Sequence, residues 1–328
     1  MRQVEVEQLA LFDAGPNLAE IREEAAMFKR HTRAKATLVA YDCDWKTFTS
    51  WCESVGRKPL PATPDTLALY VTARLRAGIK VSGAGRHVAA IAHRHRQENQ
   101  PIPDRTEARL ILAGARRRRK EMPVKRTPIL PSELRKICTA LLKDGTAQGI
   151  RDRAVLTLGF ATGLRRGNIA ALDLADVRFV EGKGLAVTVR SSKTDQKGLG
   201  VVKAARLGIH QETCPAAAMR DWLKLRGSVP GPLFFALSGL SNSGFCRLRI
   251  SGKGVNDIVK RAVKSIGLNP AGYGAHSLRA GFVTAAHLQG TGVLAIMEQT
   301  GHTTVEMVKV YLRNADPFAG PNPLGVAI

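Results

Sequence analysis

The stretch "TGHTTVEMVKVYLR", residues 300–313, joins a Gly-His pair to a short helical pattern ending on a tyrosine. Val305, Val308 and Leu312 recur at spacings of three and four, the buried stripe of an amphipathic helix. Thr303 with Glu306 has the form of a capping box, which puts His302 just before the helix start. Tyr311 borders the stripe nine residues after His302, and the chain has only four tyrosines. Taken alone, a tyrosine so placed is a core residue with its hydroxyl at the surface.

That tyrosine sits in a strongly basic chain. The 328 residues carry 50 Lys and Arg against 27 Asp and Glu, a net charge of +23. Such an excess repels itself unless a polyanion offsets it, and nucleic acid is the first candidate partner. An anionic membrane surface is the second, but no uninterrupted apolar run of about 18 residues is present to span one. The N-terminus "MRQVEVEQLALFDAG" has no apolar signal-peptide segment. Five scattered cysteines fit reduced thiols in a cytoplasm better than a disulfide framework. Cys/His spacings of the kind that hold zinc are missing, so neither metal nor cofactor is expected.

Length suggests two domains. Residues 1–18 read as a loose leader, and 19–114 as a helical domain. In "TLVAYDCDWKTFTSWCESVG", Leu38, Tyr41, Trp45, Phe48 and Cys52 share one helical face. Thr63-Pro64 starts another helix. In "GAGRHVAAIAHRHRQEN", Val88, Ile91 and Ala92 point inward, with Arg86, His87, Arg94 and Arg96 outward. Residues 115–130, "ARRRRKEMPVKRTPIL", read as a basic linker. Arg116, Arg117, Arg118, Arg119, Lys120, Lys125 and Arg126 are either a solvated charge run or a tether lying on DNA phosphates. Residues 131–328 mix helices with a short β region. Ser132 is read as a helix cap. "GLAVTVRSSKTDQKGLGVVKAARL" reads as two strands about a polar turn, with Leu185, Val187 and Val189 alternating. Helices follow at about 214–226, 252–267, 277–289, 291–300 and 303–313.

Several phosphate chemistries lack their residues. No P-loop occurs. Asp42 and Asp44 lie two apart in a helical pattern and face different ways. Glu181 sits in a glycine-broken turn, so no two-metal carboxylate cluster is visible. Cations and a tyrosine remain. "ATGLRRGNIAAL" sets Arg165 just after a helix-ending Gly163, and "HSLRAG" sets His276 and Arg279 three apart on one helical face. Each motif alone is commonplace; their joint occurrence in this order is not.

In that order the chain resembles the tyrosine recombinases, the phage integrase family, and its compact Cre-like members most. The family signature is Arg in a "TGLR" segment, Lys in a β-hairpin, "HxLR", "GH" or "GW", and Tyr nine residues on. Those positions hold Arg165, Lys193, His276, Arg279, His302 and Tyr311. The resemblance implies a mostly α fold with a small β-sheet, forming a two-domain DNA clamp. A helical core-binding domain would join an α+β catalytic domain. It implies a site-specific recombinase that breaks double-stranded DNA through a 3′-phosphotyrosine, works as a tetramer on two sites, and is cytoplasmic and nucleoid-associated. Arg165 and Arg279 would fork onto the non-bridging phosphate oxygens. His276 would exchange a proton with the tyrosine, and His302 would donate to a phosphate oxygen. Lys193 would protonate the leaving 5′-oxygen, with Lys197 of the same turn its rival. Because the linkage stores the bond energy, no ATP is needed, and with cations filling the phosphate site and no metal-ligand cluster visible, no metal is expected.

Two departures stand out. Asn168 occupies the position where relatives carry an acidic residue, and the tail after Tyr311 is short and holds three prolines. Two rival readings use the same residues: a type IB topoisomerase-like relaxer, and an inactive DNA-binding regulator of this fold.

Overall fold

The computed structural model of the protein describes residues 17–31, 35–121, 126–190, 200–237 and 245–312. The chain divides into two compact units, residues 1–123 and 124–328.

The first unit is helical throughout its described residues: α1 (Leu18–His31), α2 (Lys35–Ser54), α3 (Pro64–Arg76), α4 (Val81–Gln97) and α5 (Thr106–Arg119). Thr63 caps α3 by accepting from Thr66 N, with Pro64 supplying a preset first turn. Phe48, Cys52, Leu67, Tyr70, Val71, Val88 and Ile91 form the core. His87 is not outward as its neighbours suggest. It is buried, with Nδ1 2.9 Å from the Tyr70 hydroxyl and Nε2 3.3 Å from Asp44. Asp44 is buried as well and is held bidentately by Arg86. A polar network placed inside is tolerated because each member has a partner.

The segment read as the start of a linker is helical. Ala115 to Arg119 complete α5, because arginine is a good helix former and the last turn is anchored. Arg119 donates to the carbonyls of Leu75 and Ile79 and pairs with Glu121. Arg116, Arg117, Arg118 and Lys120 are exposed. Lys125 lies outside the described residues.

The second unit begins with α6 (Pro131–Asp144), α7 (Ala147–Thr162) and α8 (Arg166–Ala171). Ser132 is not the cap of α6. Pro131 is the first helical residue, and Glu133 closes the turn by accepting from Leu130 N at 2.8 Å. A three-stranded antiparallel sheet follows, ordered β1 (Val177–Val180), β2 (Gly184–Val189) and β3 (Val201–Arg206). The expected hairpin is β2–β3, with Val189 opposite Val201 and Val187 opposite Lys203. The turn bearing Lys193 and Lys197 lies outside the described residues. Then come α9 (Pro215–Arg226), a small ribbon of β4 (Phe235–Leu237) and β5 (Phe245–Arg249), and α10 (Gly252–Ser265). The chain finishes its described part with α11 (His276–Leu288), α12 (Val293–Thr300) and α13 (Val305–Leu312).

Helix α7 is the axle of this unit. Val155, Leu156 and Leu158 are fully buried among Ile137, Ile169, Trp222 and Leu278. At about 25 cal/mol per Å² of apolar surface, each such side chain contributes roughly 1.5–3 kcal/mol. A smaller cluster, Val283, Ile296 and Val308, packs α11, α12 and α13 together, with Tyr311 against it. No helix among the described residues is long and apolar enough to cross a membrane.

Candidate active site

The ends of five helices supply the site. Helix α7 ends at Gly163, whose φ of +60° lies in the left-handed region. A Cβ there would also meet the Thr300 methyl at 3.0 Å, so both backbone and packing call for glycine. The turn after it delivers Arg165, half-buried at the entrance to α8. Residues 126–130 run against α11 and fix its first turn: Thr127 N donates to Gly272 O and Ile129 N to Ser277 O, both at 3.0 Å. That turn presents His276, and Arg279 three residues later on the same face. Helix α12 ends at Thr300, and the chain turns through Gly301 to His302. Helix α13 then carries Tyr311.

The structure brings five of the six expected residues together. The Tyr311 hydroxyl lies 2.8 Å from His276 Nε2, and its ring centroid lies 5.6 Å from His276 and 5.5 Å from His302. Arg279 is almost fully buried. Its Nη1 donates to Gly163 O at 2.8 Å and to Thr300 O. Its Nη2 is buried with no hydrogen-bond partner among the described residues, and the Tyr311 side chain lies close enough to the guanidinium to favour its charged form. The carbonyl of Arg165 accepts from Asn168 N at 2.9 Å and Ile169 N at 3.1 Å, while its guanidinium has no hydrogen bond or ion pair among the described residues. Two guanidiniums therefore lie near one another, and among the described residues no carboxylate pairs with either. A buried charge without a counter-ion is costly, and this arrangement has the donors to hold an anion. Lys193, the sixth residue, lies outside the described residues.

The electrostatics follow from this crowding. Burial first and the Arg165 charge second, with Tyr311 opposing both, lower the Arg279 pKa to about 10. Burial also depresses His276, helped by Arg279 and Arg165; the residue is partly open to solvent, but its ring lies against the tyrosine. His302 is driven down to about 4 by burial first, then by Arg279, Arg165 and His276. Both histidines are thus held neutral near pH 7, which leaves His276 free to accept a proton.

Three residues near the site were not singled out from the sequence. Thr300 supplies a carbonyl to Arg279 and a hydroxyl 2.7 Å from His302 Nδ1. Lys203, buried on β3, donates to Glu298 O, and Gln299 donates to Ala204 O at 2.7 Å and Ala161 O at 3.2 Å. The only signal of Lys203 in the sequence is a lysine at an inward position of a strand, opposite Val187. Of the expected DNA-contacting residues, Arg126 is exposed and uses Nη1 on Ala271 O. Asn168 is half-buried on α8, beside Arg165 in the chain.

The chain is similar to known proteins in sequence and in fold. The phage integrase family profile matches residues 128–317. The chain is 31% identical over 292 residues to an integrase/recombinase XerD homolog of Selenomonas ruminantium, covering 88% of this chain and 84% of that one. It is 23% identical over 327 residues to the Cre recombinase of Escherichia phage P1, covering 93% and 90%. Among solved structures, the Tn1549 transposon integrase in complex with transposon right end DNA shares the fold at a TM-score of 0.60 and 15% identity, covering 90% of this chain and 95% of that one. A lambda integrase dimer bound to a core site does so at 0.58 and 18%, with the same coverage. With a family profile spanning more than half its length and an extended match to a recombinase, this chain belongs to the phage integrase family, the site-specific tyrosine recombinases.

Proposed function

We propose that the protein cleaves and rejoins double-stranded DNA at a specific site, with Tyr311 as nucleophile and no metal or nucleotide cofactor. The observation that carries this reading is the Tyr311 hydroxyl held 2.8 Å from a neutral His276, beside Arg165 and the unpaired Nη2 of Arg279. His276 Nε2 accepts the phenol proton as the oxygen attacks phosphorus. The two guanidiniums take the non-bridging oxygens and stabilise the charge that grows on them. The 5′-oxygen leaves, protonated by Lys193 from the β2–β3 turn. The phosphotyrosine link conserves the bond energy, so the reverse attack by a 5′-hydroxyl reseals the strand. Exchange of partners uses a second DNA-bound pair, giving a tetramer on two sites. The relatives include recombinases, and lambda integrase has been solved on DNA as a dimer and as a tetramer, which supports that assembly.

The test is covalent trapping. Protein expressed in cells and stopped with detergent should carry DNA, and sequencing that DNA should return one site. Tyr311→Phe should carry none; an adduct with this variant would overturn the assignment. A plasmid with two copies of the mapped site should give junctions and recombinants in the presence of EDTA. Relaxation without junctions would instead identify a topoisomerase-like relaxer.

A further inference from the structure

Thr300 sits between a helix carbonyl and an imidazole. Its Oγ1 lies 2.5 Å from Ile296 O and 2.7 Å from His302 Nδ1. A carbonyl oxygen brings no proton, so a contact that close requires the single hydroxyl proton to point at Ile296. The hydroxyl then meets His302 as an acceptor only. The ring proton must be on Nδ1, and Nε2, at the opposite edge of the ring, is bare and has no partner among the described residues. A phosphate oxygen also offers only lone pairs. Bare Nε2 facing it is a repulsive contact, unlike the donation that the cleavage chemistry calls for.

We propose that Thr300 fixes His302 as the Nδ1–H tautomer, so that His302 takes up a proton from solvent at Nε2 when a DNA phosphate enters the site. This rests on the phosphate-binding reading of the site given above. One N–H bond forms, the ring goes from neutral to a single positive charge, and the Nδ1–H bond to Thr300 is kept. The groups around the ring explain why binding is the trigger. Arg279 and His276 reach it from α11, Arg165 from the turn before α8, and Tyr311 from α13. On α12 the nearest carboxylate is Glu298, exposed, two residues before Thr300. Without an anion, the arginine charges and burial keep the second proton off. A phosphate cancels the arginine charges and adds an acceptor, and the sign reverses. Thr300 is thus a positioning residue. It makes full engagement of the phosphate conditional on protonation, and binding to the cleft tighter at lower pH.

Nitrogen NMR of histidine-labelled protein reads this directly, without DNA. In the free protein His302, assigned by the signal lost in His302→Asn, should show a protonated Nδ1 and a bare Nε2. Inorganic sulfate, a phosphate-like anion of fixed charge, should raise the pH at which both nitrogens are protonated by on the order of one unit, a tenfold change in proton affinity. Thr300→Val, which keeps the shape and deletes the acceptor, should move the proton to Nε2 in the free protein; Thr300→Ser should restore the wild-type pattern. A protonated Nε2 in the free wild type, an unmoved tautomer in Thr300→Val, or a His302 that ignores sulfate would each overturn the inference. Covalent trapping is a separate measurement. Its failure would remove the cleavage reading and leave the tautomer result standing, while the converse would remove only the role of Thr300.

Discussion

Arg279 is asked to do two jobs with one guanidinium. Nη1 is spent on the Gly163 and Thr300 carbonyls, and Nη2, in the proposed function, serves the DNA phosphate. Arg279→Lys keeps the charge but has no planar fork, so it cannot serve both. Cleavage should fall by about 10²–10³, the scale for losing one oriented donor. Measured by trapping rate, a loss under tenfold would show that charge alone suffices. The histidines set the acid limit. His302 has a folded pKa of about 4 against an ordinary 6.5, so the folded state binds fewer protons than the unfolded chain between those values. Its contribution to stability is full above pH 6.5 and is lost as pH falls through about 4. The thermal midpoint of free protein should therefore drop across that window, and His302→Asn should drop less steeply. That Tyr311, His276, Arg279, Arg165 and His302 lie near one another was legible from the family resemblance, not from any one motif. Thr300 was not, although it lies in the same quoted stretch. Its role depends on a hydroxyl meeting a ring across a helix end, and spacing does not show which atom donates.

At the level of elements, what positions the site is the close seating of α11. A Cβ added at Gly281 would lie 1.9 Å from the Ile129 carbonyl oxygen, backbone against side chain with nothing to yield. Gly281→Ala should cost about 3 kcal/mol or more and shift the helix bearing His276 and Arg279. Denaturant unfolding and trapping rate should fall together; an unchanged midpoint would mean that the helix is not held there. On the other side, Lys203 and Gln299 tie β3 to the end of α12. Lys203→Met should slow cleavage more than it weakens DNA binding, because it loosens the joint between the hairpin and the His302 turn. The hairpin itself was visible in the alternation of Leu185, Val187 and Val189. Strand β1 was not: Arg178 and Phe179 are exposed and it spans four residues, too short for a period to appear. Strands β4 and β5 were missed for a related reason, being short and out of register at their bulge. His87 was misread because its partners, Tyr70 and Asp44, stand on other helices.

For the whole molecule, a net charge of +23 makes DNA binding a matter of counterion release. If about eight phosphates are neutralised, log affinity should fall with log salt at a slope near −7; a slope shallower than about −2 would remove the case for extensive phosphate contact. Changing Arg116, Arg117 and Arg118 to Ala should flatten the slope without changing the preferred sequence. Arg119 should matter to stability more, since its guanidinium holds Leu75 and Ile79 carbonyls in place. The double duty of Arg279 also bears on how such a gene decays. Its Nη1 closes the carbonyl ends of α7 and α12, so losing it loosens the scaffold as well as the chemistry. A copy released from selection for strand cleavage, yet still selected to occupy DNA, can shed Tyr311 at little cost to folding. It cannot shed Arg279 so freely. Degenerate paralogues that still fold should therefore retain the arginine and vary at the tyrosine, and the order of the two losses in a gene lineage would date the end of cleavage.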